Sequence, residues 1–349
     1  MVNIGVIGCG YWGPNLIRNF TKAKGCHLAA IADQRPERLE AVRHLNPWMI
    51  SSTSADEIIE SRSIDAVVIA TPISTHFALA KACLENGKHV FIEKPLTRTS
   101  AEAQELIFLA KQHDKVLMVD HTFIYSGAVR KLRDLIESGD LGDIYYYDSV
   151  RLNLGLFQPD VNALWDLAPH DFSVLGHVLK RKPKRVRASG SCPVRWNGWK
   201  RESIVYVTVE LEDDAIAHFH LNWLSPVKLR RTLIGGSRKM VVYDHLDVDN
   251  QIKIFDKGVD LLEDEERYKV LVQYRTGDVL VPKVDQTEPL EIACQHFVDC
   301  IHDGKTPITD GIAGLRVVEL LEGAENFMRR EEEGLRRWDR EDHSISISA

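Results

Sequence analysis

Val2-Asn3-Ile4-Gly5-Val6-Ile7 runs into Gly8-Cys9-Gly10-Tyr11-Trp12-Gly13, and a second apolar run, Leu28-Ala29-Ala30-Ile31-Ala32, closes on Asp33. An apolar run that ends on glycines reads as a buried parallel strand delivering the chain to a tight turn. There Gly8 permits the sharp bend, Gly10 lets the backbone approach a pyrophosphate, and Gly13 lets the next helix sit close to the sheet. The helix-like segment Asn15-Leu16-Ile17-Arg18-Asn19-Phe20 follows. A pyrophosphate would then rest on a helix N-terminus, whose free N–H groups and dipole favour an anion. Asp33 lies about twenty residues past the glycines, the offset at which a carboxylate accepts from the adenosine ribose hydroxyls and repels a 2′-phosphate. NAD is therefore expected over NADP, although Arg35 is suited to a 2′-phosphate. Tyr11, Trp12, Gln34 and Arg35 join Gly8, Gly10, Gly13 and Asp33 as candidate cofactor contacts.

Beyond Asp33 the alternation continues to about residue 120. Ala55–Ile59 reads as a helix, Ile64–Ala70 as a strand, and His76–Asn86 as a helix stopped by Gly87. Strand His89–Ile92, helix Ser100–His113 with Ser100 as N-cap, and strand Val116–Val119 follow. Regular βα alternation predicts a doubly wound parallel sheet, a Rossmann domain over residues 1–121. A helix around Gly127–Ser138 and a glycine turn then give way to Ile144–Leu152, Ile204–Leu211, Ala215–Leu224, Arg230–Ile234 and Met240–Tyr243, rich in β-branched and aromatic residues. These predict a second α/β domain over 122–349 with a large open, mostly antiparallel sheet. A C-terminal helix about 311–331 is expected to pack back on the first domain. The uncovered sheet face suits a subunit contact, so a homodimer or homotetramer is expected.

With 349 residues, 44% of them apolar, the chain can build two cores. A net charge of −7 supplies no basic field, so neither nucleic acid nor an anionic membrane is an expected partner. No apolar run has the length of a membrane span and the chain opens on a strand without a charged leader, which predicts a cytoplasmic protein. Cys9, Cys26, Cys83, Cys192, Cys294 and Cys300 are scattered without a Cys-x-x-Cys pair, so reduced cysteines and no metal site are expected.

Three clusters carry chemistry. Thr71 and Pro72, followed by Thr75 and His76, leave a predicted parallel strand at its carboxyl end, where open α/β sheets bind ligands. They are candidate nicotinamide-side contacts, and Thr75 doubles as a helix cap. Glu93-Lys94-Pro95 ends the next strand, where Glu93 and Lys94 are cofactor candidates and the Lys94 ammonium can also steady a developing alkoxide. In Trp165-Asp166-Leu167-Ala168-Pro169-His170-Asp171, the spacing of four places Asp166 and His170 on one side of a helical turn, a general base with a carboxylate to orient it. Arg151 and Asn153, on the preceding strand, suit a carboxylate or pyrophosphate, with a salt bridge on a sheet face as the competing reading. His121 and Tyr125 complete the substrate candidates.

Taken together these residues resemble the glucose-fructose oxidoreductase and inositol 2-dehydrogenase (Gfo/Idh/MocA) family. The resemblance runs from the Gly8 turn through Glu93-Lys94-Pro95 and Asp166-x-x-x-His170 to Thr306-Pro307-Ile308-Thr309-Asp310-Gly311. It implies that Lys94 and His170 are the catalytic pair, that Asp166 contacts His170 or the substrate, and that NAD(P) serves a carbohydrate alcohol or ketone. His121-Thr122-Phe123-Ile124-Tyr125-Ser126-Gly127 and Trp165-Asp166-Leu167-Ala168-Pro169-His170-Asp171 are similar to the branch acting on nucleotide-linked sugars, such as UDP-N-acetylglucosamine or its uronate at C3. A cyclitol or free-sugar dehydrogenase, a 3-ketosugar reductase, and a non-catalytic NAD-binding regulator stay open as alternatives.

Overall fold

The computed structural model describes residues 1–155, 160–194, 201–262 and 271–342. It divides into two compact units, Met1–Arg130 with Asp285–Glu319 and Lys131–Val284 with Leu320–Ala349.

The first unit alternates β1 (Val2–Ile7), α1 (Gly13–Lys22), β2 (Cys26–Ala32), α2 (Pro36–Leu45), β3 (Ile50–Ser52), α3 (Asp56–Ile59), β4 (Ala66–Ile69), α4 (Ile73–Glu85), β5 (His89–Glu93), α5 (Ser100–Gln112) and β6 (Leu117–Asp120). Its sheet has the order β3-β2-β1-β4-β5-β6 with every pair parallel. Each residue of β4 is buried, as a strand flanked by helices on both faces requires. The order reverses between β1 and β4, so a ligand crevice is expected outside the carboxyl ends of these strands.

A 3-10 turn (Thr122–Tyr125) and α6 (Gly127–Glu137) follow β6. The later segment returns through α8 (Pro289–Asp303), whose Phe297 stands edge-on to Phe20 and Phe91 at centroid distances of 6.1 and 5.5 Å. Arg18 clasps Glu288 at 2.6 Å, and the Val119 N–H donates to the Thr309 carbonyl at 2.8 Å.

Two local expectations are corrected. The N-cap of α5 is Thr99, not Ser100: its hydroxyl accepts from the Glu102 N–H while the Glu102 carboxylate accepts from the Thr99 N–H. That reciprocal box fixes the helix start one residue early. Thr75 does not cap α4 either; Pro72 holds the cap position, and the Thr75 hydroxyl lies 2.7 Å from Thr71 Oγ1 and 2.8 Å from the Pro72 carbonyl.

The second unit contains β7 (Ile144–Leu154), α7 (Ala163–Leu179), β8 (Pro183–Ser191), β9 (Ile204–Leu211), β10 (Ile216–Asn222), β11 (Leu224–Gly236), β12 (Met240–Asp244), β13 (Ile252–Phe255), the hairpin β14 (Gly258–Leu262) and β15 (Leu271–Arg275), and β16 (Val279–Leu280). Among the described residues its large sheet has the order β16-β13-β12-β11-β7-β10-β9-β8. Only the β7/β10 pair in it is parallel. Along β9, Val205, Val207, Val209 and Leu211 are buried while Tyr206 is exposed, the period-two pattern of a sheet covered on one face. Helix α7 packs against β7, β9 and β10. A last helix, α9 (Gly311–Asp342), carries residues assigned to both units.

All six cysteines are free. Among the described residues no helix is long and apolar enough to cross a membrane, and no group of histidine, cysteine and carboxylate side chains is arranged to hold a metal.

Candidate active site

The glycine turn is built as the sequence requires. Gly8 has φ of 99°, and a Cβ there would stand 2.5 Å from the Ala70 carbonyl oxygen. A Cβ on Gly13 would run into the Gly8 carbonyl, so α1 approaches the turn only because position 13 is glycine. Asp33 at the end of β2 is buried, accepting from the Cys9 N–H at 2.7 Å and the Arg35 N–H at 2.9 Å. Its carboxylate thus ties the glycine turn to the second strand, with oxygen lone pairs left for a ribose. Tyr11 and Trp12 meet edge to face at 5.6 Å and are both exposed, as is Gln34. Glycines that exclude a Cβ and a carboxylate fixed beside them fit a dinucleotide.

Arg38 is a residue that sequence reasoning missed. Its guanidinium lies 3.5 Å from Asp33 and would be 3.4 Å from a Cβ on Gly10. Arg35 instead contributes its backbone N–H to Asp33. Nothing in the spacing favoured position 38; the start of α2 decides which arginine turns toward the carboxylate.

At the carboxyl ends of β4, β5 and β6 the first unit gathers Thr71, His76, Glu93, Lys94, Asp120 and His121. His76 is wholly buried, with Nδ1 2.9 Å from the Pro95 carbonyl and Nε2 2.9 Å from the Thr71 carbonyl. Burial holds its pKa below the ordinary histidine range, with the two carbonyls opposing. It braces the loop after β4 against the Lys94-Pro95 segment.

Glu93 and Asp120 are register partners on β5 and β6, both buried. Burial, then Asp120, pushes the Glu93 carboxyl well above its usual range, and burial raises Asp120 to about 6. Two buried carboxyls side by side each disfavour the charged form of the other, and Glu93 Oε1 has no hydrogen-bond partner. Thr122 donates to Asp120 at 2.6 Å.

His121 is completely buried, and neither ring nitrogen has a hydrogen-bond partner. Burial and the charge of Lys94 hold its pKa down to about 3, so the ring is neutral, with one N–H to donate and one nitrogen to accept. Buried polar atoms are ordinarily satisfied, which makes these two a signal of something bound next to them. Tyr125 is different: its hydroxyl lies 3.0 Å from Thr309 Oγ1, and burial raises its pKa. Within the fold it already has a partner.

In the second unit, α7 carries the predicted base. Asn162 caps the helix by accepting from the Trp165 N–H at 3.1 Å, and Pro169 sits inside it, removing a helix donor at the turn that holds His170. Ser173 Oγ donates to the His170 carbonyl at 2.8 Å. Asp166 accepts from the buried indole N–H of Trp223 at 3.1 Å. Trp223 therefore holds the carboxylate, a contact between residues 57 apart that no local spacing announces.

Arg151 and Asn153 lie on the β7 face that α7 covers. Arg151 is buried in a two-point ion pair with Asp171, Nε to Oδ2 at 2.5 Å and Nη2 to Oδ1 at 3.2 Å, and Ser149 donates to the same carboxylate at 2.9 Å. The salt bridge left open by the sequence is present. The buried Asn153 Oδ1 has no hydrogen-bond partner.

Comparison with known proteins agrees with this architecture. A family model described as an oxidoreductase family with an NAD-binding Rossmann fold, GFO_IDH_MocA, matches residues 2–121, and the GFO/IDH/MocA C-terminal domain model matches residues 129–242. An uncharacterized oxidoreductase of Streptococcus pneumoniae is 30% identical over 162 residues, 46% of this chain and 43% of that protein. The chain spans about half the length of the first curated relatives it matches. A UDP-N-acetylglucosamine 3-dehydrogenase of Acidithiobacillus ferrooxidans is 26% identical over 334 residues, 93% of this chain and 98% of that one. The crystal structure of an oxidoreductase from Magnetospirillum magnetotacticum, itself described as putative, superposes with a TM-score of 0.78 at 27% identity, covering 93% of this chain and 99% of the other.

Proposed function

Since the chain belongs to the GFO/IDH/MocA oxidoreductase family and carries its NAD-binding Rossmann domain, we propose that it oxidises or reduces a secondary alcohol or ketone of a sugar. The substrate in this reading is nucleotide-linked, UDP-N-acetylglucosamine or its uronate, and the reacting carbon is C3. The observation that carries it is the catalytic helix itself, with His170 one turn after an Asp166 held by the Trp223 indole. A binding module needs no such base. The choice of sugar is supported by the Acidithiobacillus relative, which matches almost end to end.

NAD, when bound, takes up or returns the hydride of the sugar carbon. The glycine turn would hold its pyrophosphate at the start of α1, and Asp33 would accept from its ribose hydroxyls. His170 takes the proton of the substrate hydroxyl, and Asp166 steadies the histidine as it becomes charged. Lys94 holds the oxygen on which negative charge develops. Glu93 and Asp120, whose burial and mutual repulsion oppose two full charges, form a polar wall beside Lys94.

The test is a panel of UDP-N-acetylglucosamine, its uronate, inositols and free glucose, with NAD or NADP, followed at the reduced-nicotinamide band. Turnover of a UDP sugar with NAD supports the reading. Turnover confined to inositols or free sugars would replace the substrate, and a preference for NADP would overturn the role given to Asp33.

We also infer that two copies of the chain meet through the sheet face turned away from α7. Tyr206 and Ile216 are exposed there, and Tyr206 stacks on His220 at a centroid distance of 4.4 Å. Exposed aromatic and aliphatic side chains on one face suit the centre of an interface. Light scattering is expected to give a dimer or tetramer mass at micromolar concentration; a fully active monomer would reject it.

A further inference from the structure

Register places Arg230 of β11 directly opposite Arg151 of β7, as it places Thr232 opposite Ser149. Directly paired residues share a face of the sheet, so both arginines point to the side that α7 covers. Their circumstances differ. Arg151 is matched by Asp171, whereas the Arg230 carbonyl accepts from the His245 N–H but its side chain has no hydrogen bond or ion pair among the described residues, and its Nε is sealed from water.

The surroundings make this a positive site. Burial, then Arg151, lowers the Arg230 pKa, with Asp171, Tyr243 and Asp166 opposing. Asp171 is already held by Arg151 and Ser149, and Asp166 by Trp223. His245 adds no negative charge: burial, Arg230, Arg151 and Lys228 push it down to about 4, which leaves it neutral. An arginine stays protonated under such conditions, and a half-buried guanidinium without a counter-charge is costly. Nearby on this face the buried Asn153 Oδ1 also has no partner, an acceptor ready for a hydroxyl donor.

We propose that Arg230, rather than Arg151, anchors an oxyanion of the substrate, with Asn153 accepting from a hydroxyl of the same molecule. Arg230 is the register partner of Arg151, whose counter-charge Asp171 stands on α7, so this anchor lies on the sheet face toward the helix that carries His170. It rests on the sugar-oxidoreductase reading and deepens it: the substrate carries an acidic group, either a carboxylate on the sugar or the diphosphate of a nucleotide. Both offer paired oxygens to a guanidinium fork.

The experiment measures binding and turnover by NAD-loaded enzyme, wild type against Arg230→Gln and Arg230→Met. The probes are UDP-N-acetylglucosamine, its uronate, free glucuronate, pyrophosphate and an uncharged inositol. Loss of a charge-assisted contact is expected to weaken the anionic ligands roughly 10- to 100-fold, mainly in Kd and KM, and to leave inositol unchanged. A loss confined to the uronates identifies the carboxylate; a loss shared by both UDP sugars and pyrophosphate identifies the diphosphate. Arg230→Met should keep or raise Tm, since it removes an unmatched charge, whereas a structural arginine would lower it. Equal losses for charged and uncharged ligands, unchanged affinities, or a wild type that binds none of the anions would overturn the proposal. Arg230-dependent binding of glucuronate or pyrophosphate without turnover of any UDP sugar would sustain the anchor while removing the proposed substrate.

Discussion

Alanine at His170 or at Lys94 is expected to lower kcat roughly 100-fold or more while NAD binding survives. In the proposed mechanism each acts on the substrate oxygen, His170 on its proton and Lys94 on its charge, and neither belongs to the glycine turn. His170 sits on a well-anchored helix, capped by Asn162 and tied by Ser173 to the His170 carbonyl, so truncating the ring leaves its support in place. Hydride transfer in a single turnover, measured beside NAD affinity by titration, separates the two effects. Unchanged transfer in either variant would take that residue out of the mechanism. A parallel loss of NAD affinity would show that the fold, not the chemistry, had been damaged.

Asp171→Ala should be the most damaging single change to stability. It strands the buried Arg151 guanidinium, and breaking a buried pair from one side costs about 3–5 kcal/mol. For a unit of this size that is a fall of roughly 6–20 °C in its thermal transition. Arg151→Met in the same chain should restore most of the loss, because it removes the charge left unmatched. Thermal melting of the single and double variants checks both statements, and a double variant no more stable than Asp171→Ala would show that the pair is not an isolated contact.

The first half of the nucleotide site was legible because its physics is local. Gly8, Gly10 and Gly13 act through their own backbone, and Asp33 reaches them across one pair of adjacent parallel strands. Lys94 was legible for a related reason: a charged residue directly after a buried strand has only the end of the sheet to occupy. The same reasoning misplaced the α5 cap by one residue, since Thr99 and Ser100 are both able caps and only the reciprocal bond with Glu102 separates them.

Sequence by itself determined the βα alternation, the glycine turn with its acid, and the spacing that puts Asp166 and His170 on one turn of helix. These depend on periodicity and short offsets, which the chain carries wherever it folds. Only the tertiary structure decided that Arg38 meets Asp33, that Trp223 holds Asp166, that Asp171 neutralises Arg151 and that the buried Arg230 Nε has no partner among the described residues. The sheet order puts β7 between β11 and β10, out of chain sequence, so residues some 80 apart become direct neighbours. Which of two arginines is neutralised then depends on which one a carboxylate of α7 can reach, and that follows from strand register and helix packing rather than from residue type.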